Sequence, residues 1–197
     1  MKKTAIACFL GLFGLFGTTA FAQNVNVRGT VTAFDGQVIS VKARDGRDLQ
    51  VALPDNAPVS ITKSLQLTDL KQGQTVGVTT IRRAADGLLV AIDVRPIPAT
   101  APPGLTPFDL QPGSTMTNAV LEGVIQAAGG QELLLNYKTG SVKVLVPEGT
   151  PMSQAAPGAR SDIKPGETVF VVARPAADGK LTAVRTQVSK DGIKPTQ

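Results

Sequence analysis

Hydrophobic and polar residues alternate with a period of two along much of this chain. Ile39, Val41 and Ala43 alternate with Ser40, Lys42 and Arg44, and beyond Asp45-Gly46 the pattern resumes with Leu49, Val51 and Leu53. That pattern predicts two half-buried strands joined by a tight turn. The same logic recurs later: Leu133, Leu135 and Tyr137 form one face, Thr139-Gly140 the turn, and Val142, Val144 and Val146 the return face. Further strands are expected near residues 75–82 and 88–95, and near 169–174 and 181–187. Each pair is joined across a segment containing Asp-Gly. The polar stretches LTDLKQG and SDIKPG each predict a single helical turn, capped by Asp or Ser and closed by Gly.

These patterns belong to an internal duplication. RGTVTAFDGQVISVKARDG from Arg28 matches EGVIQAAGGQELLLNYKTG from Glu122, with Gly29 on Gly123, Gly36 on Gly130 and Gln37 on Gln131. LQVALPDNAP from Leu49 matches VKVLVPEGTP from Val142. DLKQGQTV from Asp69 matches DIKPGETV from Asp162, and DGLLVAIDV from Asp86 matches DGKLTAVRT from Asp178. Four blocks in one order mark a repeat of about 70 residues. Each copy predicts about five strands with one short turn before the fourth, the element order of an OB-like barrel. A small β-sandwich fits the same periodicity.

The fold class expected is therefore all-β: two tandem five-stranded OB-like small barrels joined by a Pro-rich linker. The expected divisions are repeat 1 at residues 23–95, the linker at 96–118, repeat 2 at 119–190 and a flexible tail at 191–197. Six prolines stiffen the linker and exclude helix. The linker reads either as a spacer or as an ordered segment that packs on one or both barrels; Phe108 and Leu110 favour the second, since a solvated spacer has little use for them.

The first 22 residues differ from the rest. Lys2-Lys3, an uncharged run over residues 5–17 and Ala20-Phe21-Ala22 form the pattern of a cleavable signal peptide, so the exported chain is expected to start at Gln23. The run is shorter than the roughly 20 residues a membrane span needs, so no transmembrane anchor is expected after cleavage. The expected location is the periplasm, with full secretion as a variant. Cleavage removes the only cysteine and lowers the net charge from +5 to +3, a balance that speaks to solubility rather than to an acidic partner.

Composition narrows the chemistry. The chain has no His and no Trp. It can build no imidazole base, no Ser-His-Asp triad and no His-ligated zinc. Met116 and Met152 are a poor start for a copper site, and Asp45-x-x-Asp48 lacks the alternating acids of a calcium loop. Asp93, Glu122, Glu132 and Glu148 have no spacing that forces two carboxylates together, and no phosphate-binding glycine motif is present. Few aromatic residues are left for base stacking, so nucleic acid is not an expected partner. The residues point to no enzyme, no cofactor and no metal site. The candidate interaction surface is Arg82 and Arg83, the densest basic pair outside the leader, together with Phe108, Asp109 and Gln111 of the linker.

The G-x-V opening, the L-K-x-G-x-x-V block, the closing DG-x-L-x-A-x-x-V and the segment FDLQPGSTMTNA from Phe108 carry a resemblance. The chain resembles exported bacterial tandem small β-barrel (OB-like) proteins catalogued as a domain of unknown function. The resemblance implies architecture and export, and it brings no catalytic residue. Some similar proteins carry labels mentioning metal transport, so an accessory ligand-binding role in periplasmic metal handling is one alternative. A structural envelope component is another. The function expected first is an exported, non-catalytic binding or interaction module of the bacterial envelope. Its partner would be an envelope protein, a glycan or a small ligand, and the oligomeric state is left open.

Overall fold

The computed structural model describes residues 23–196, so the leader-like segment lies outside the described residues. The first copy forms β1 (Val25–Phe34), β2 (Val38–Ala43), β3 (Asp48–Ala52), β4 (Val59–Ser64), β5 (Thr75–Arg82) and β6 (Leu89–Pro96). The linker contributes β7 (Gly104–Pro107). The second copy forms β8 (Thr115–Ala127), β9 (Gly130–Tyr137), β10 (Gly140–Val146), β11 (Ser153–Pro157), β12 (Thr168–Pro175) and β13 (Leu181–Val188). The alternation seen in sequence sets their faces: Ile39 and Val41 are buried, while Lys42 is exposed.

Two closed five-stranded barrels result, and each draws on both copies. Barrel one is ordered β13-β12-β1-β2-β3 and closes where β13 runs parallel to β3, with Leu181 opposite Val51. Barrel two is ordered β5-β6-β10-β9-β8 and closes between β5 and β8, with β6 parallel to β10. The boundaries expected near residues 95 and 119 thus divide the copies but not the barrels. The first three strands of each copy are completed by the last two strands of the other. Barrel two occupies one continuous stretch of chain, and barrel one is assembled from the two ends around it.

Strands β4 and β11 carry the crossings. They pair antiparallel, Ser64 opposite Ser153 and Ser60 opposite Pro157, about an approximate two-fold axis that relates the copies. The cores stay separate. Val31, Ile39, Val51, Val169 and Val171 fill barrel one. Val76, Val78, Leu121, Leu133 and Val144 fill barrel two. Closure removes most free sheet edges.

Three details differ from the sequence expectations. Gly29 faces Val169 across the β1–β12 ladder, and Ala119 faces Val76, the counterpart of Val169, across the β5–β8 ladder. Ala119 therefore stands where Gly29 stands, and the match of Gly29 to Gly123 is out of spatial register. The cause is hairpin length: β8–β9 stays paired as far as Ala127 and Gly130, whereas β1–β2 ends at Phe34 and Ile39. The helical turns at Leu67–Asp69 and Arg160–Asp162 are 3-10 turns. Asp69 and Asp162 hold them from the third position, accepting from the backbone N–H of Gln66 (2.8 Å) and Ala159 (2.9 Å). The tail is anchored rather than loose as far as Thr196. Lys190 N donates to Ile193 O, Pro195 is buried, and the hydroxyls of Ser153 and Thr196 lie 3.1 Å apart.

Candidate functional site

The linker is docked at the seam between the barrels. β7 pairs antiparallel with β8, and Phe108 N donates to Ser114 O. Phe108 then lies between a cation of each barrel, Arg28 at 5.4 Å and Arg95 at 5.9 Å from its ring centre. Arg28 also sits 5.0 Å from the ring of Phe170, whose ring meets Arg185 at 5.4 Å. The alternation Arg95, Phe108, Arg28, Phe170, Arg185 forms a cation–π ladder across the seam.

Two carboxylates balance it. Asp109 accepts a bidentate pair of bonds from Arg28 (2.8 and 3.1 Å) and further bonds from Asn26. The Arg28 guanidinium holds the Asp109 carboxyl below the usual carboxylate range, with Asn26 adding to the effect. Asp93 is almost fully buried and pairs with Arg95. Burial pushes its pKa up against the opposing pull of Arg95. Arg95 also reaches Met116 Sδ at 3.4 Å.

The residues expected to form one interaction surface have separate jobs. Phe108 and Asp109 join the barrels, and Gln111 sits in a loop tied by Ser114, whose N–H donates to Gln111 O. Arg82 and Arg83 brace the β5–β6 hairpin. Arg82 donates to Gly87 O at 2.6 Å, and Arg83 forms an ion pair with Asp86 at 2.5 Å.

A more open site lies at one end of barrel two. A groove of about 730 Å³ is bounded by the chain after β4, the tip of the β8–β9 hairpin and the β10–β11 connection. Leu65, Leu67, Val146 and Met152 supply apolar lining, and Gln66, Gln126 and Gln131 supply amides. Glu148 is the one charged residue among the described residues that line it.

At the corresponding end of barrel one an arginine side chain bonds the main chain. Arg160 opens the second 3-10 turn, as Leu67 opens the first. Its guanidinium donates to Gly36 O (2.5 Å), Leu53 O (2.8 Å) and Pro54 O (3.0 Å), with Asp55 at 3.8 Å. By the repeat, the matching positions in barrel two are Gly130, Val146, Pro147 and Glu148, and all four line the groove. There Gly130 pairs with Ala127 and Val146 with Gln131 across the ladders, and the Leu67 side chain packs against the barrel-two core. Pro147 O instead accepts from the Thr150 hydroxyl at 2.7 Å. The clue in the sequence is a difference between the copies, Leu against Arg at the start of otherwise matching blocks.

Among the described residues no group of three or more His, Cys, Asp or Glu could hold a metal ion, and no helix is long and apolar enough to cross a membrane. Comparison with protein-family models, curated proteins and solved structures finds no match.

Proposed function

We propose that this protein is an exported, non-catalytic binding module of the bacterial envelope, and that it takes its ligand in the barrel-two groove. One observation carries the reading: at this end of barrel one Arg160 bonds the carbonyls of Leu53 and Pro54, whereas the same end of barrel two carries an open groove. The groove has the size of a small-ligand or side-chain site, and it combines an apolar lining with a few polar groups. The leader-like first 22 residues support export. The duplication supports binding, since one copy can keep the structural role while the other acquires a ligand.

The test is amide chemical-shift mapping of the chain from Gln23 against fractions of its host's envelope extract. Shifts clustered on residues 64–67, 126–131 and 146–152 support the reading. Shifts at the seam alone, or none in any fraction, count against it. Cell fractionation with N-terminal mass analysis checks export, which requires a periplasmic product beginning at Gln23.

A further inference from the structure

The seam holds a second hollow, separate from the barrel-two groove. Its volume is about 470 Å³, and both barrels, the linker and the tail contribute to its wall. Arg44 follows β2 of barrel one, Asp93 belongs to β6 of barrel two, and Leu110 comes from the docked linker. Pro151 and Met152 precede β11, and Ile193, Lys194 and Pro195 belong to the anchored tail. We propose that this hollow binds an alkyl carboxylate, with its charged head on Arg44 and Lys194 and its chain against the apolar wall.

Charge selects the head. Among the described residues neither the Arg44 nor the Lys194 side chain has a hydrogen-bond or ion-pair partner. The neighbouring cations are already matched, Arg28 by Asp109 and Arg47 by Asp45. Loss of water around Arg44, with the charge of Arg28 adding, lowers the pKa of its guanidinium, so an incoming anion relieves a cost the protein already carries. Asp93 is the one acid among the described lining residues, and it is almost fully buried and paired with Arg95. Its charge disfavours a doubly charged head such as phosphate and leaves a single carboxylate to the two cations.

The wall selects the body. Pro151 and Pro195 have no N–H to donate, and Pro151 O accepts from Val94 N. The hydroxyls of Ser153 and Thr196 lie 3.1 Å apart and satisfy each other. A peptide or a sugar would lose hydrogen bonds to water there without replacing them. An alkyl chain loses none, and it covers apolar surface on Leu110, Met152 and Ile193.

The probe is octanoate, titrated into the chain from Gln23 and read by amide shifts and calorimetry. Octanamide keeps the shape and loses the charge; butyrate keeps the charge and shortens the chain. The expected result is saturable octanoate binding with shifts at residues 44, 92–93, 151–153 and 192–196, and at least tenfold weaker binding of both controls. Raising the salt should weaken octanoate and leave octanamide unchanged. Arg44→Gln should weaken octanoate several-fold, and adding Lys194→Gln should bring it to the level of octanamide. Both side chains are exposed, so the melting temperature should not move. Should either variant be destabilised, the octanamide and salt arms still decide the matter. Equal affinity for octanoate and octanamide, shifts elsewhere, or no saturation would overturn the proposal. If octanoate fails while envelope fractions still shift the barrel-two groove, the seam site falls and the groove reading stands.

Discussion

The two barrels share one wiring and differ in how the chain supplies it. Barrel two is made from consecutive strands between Thr75 and Val146, whereas barrel one needs β1–β3 from one end and β12–β13 from the other. Val27 meets Val171 only after the whole of barrel two has intervened. Barrel two therefore closes on local contacts, and by folding it brings the two parts of barrel one together. If barrel two unfolded, barrel one would have to close a loop of about 115 residues between β3 and β12, at a cost of about 4 kcal/mol in chain entropy.

This asymmetry gives the largest expected effect. Val144→Asp buries an unpaired charge in barrel two at a cost of several kcal/mol, and both barrels should be lost. Val41→Asp does the same in barrel one, and a protease-resistant fragment spanning barrel two should survive. Limited proteolysis with mass analysis distinguishes them; identical digestion patterns would refute the dependence. Lys42→Ala is the control and should stay within about 0.5 kcal/mol of wild type, because its ion pair with Asp48 is exposed.

A smaller effect is expected where the barrel ends differ. Arg160→Leu removes the charged donors at Gly36, Leu53 and Pro54 and should cost about 1.5–3 kcal/mol, read from the urea midpoint. An unchanged midpoint would show that these bonds are ornamental and that the contrast between the two ends carries no energy.

The smallest effect belongs to the seam, where two carboxylates titrate in opposite senses. Arg28 depresses the pKa of Asp109, so its stabilisation is present above the unfolded value, near pH 3.9, and is lost as pH falls through the folded one. Burial raises the pKa of Asp93, so its contribution is complete below the unfolded value and is lost as pH rises through the folded one. Acid unfolding of Asp109→Asn should lose the first component and keep the second. A profile identical to wild type would mean that Asp109 is equally solvated folded and unfolded.

The sequence made strand faces legible and left strand partners hidden. The alternation around Val41 and Val144 says which side is buried, because burial follows the pleat residue by residue. It does not say which strand lies alongside, since β12 satisfies the edge of β1 as readily as a strand from the same copy would. Phe108 in a proline-rich segment signalled docking, and its place between Arg28 and Arg95 gives the reason. Arg82 and Arg83 stand out in the sequence as the densest basic pair outside the leader, and their acceptors lie a few residues onward in the same hairpin, at Gly87 and Asp86. The open groove was hidden because matching the copies emphasises what they share, whereas the site lies where Leu67 and Arg160 diverge.

The crossing at β4 and β11 has a mechanical meaning. A single backbone break in the proline-rich stretch, between β6 and β7, would yield two polypeptides and yet release neither, because each would still supply staves to the other's cask. Only melting the staves themselves could part them.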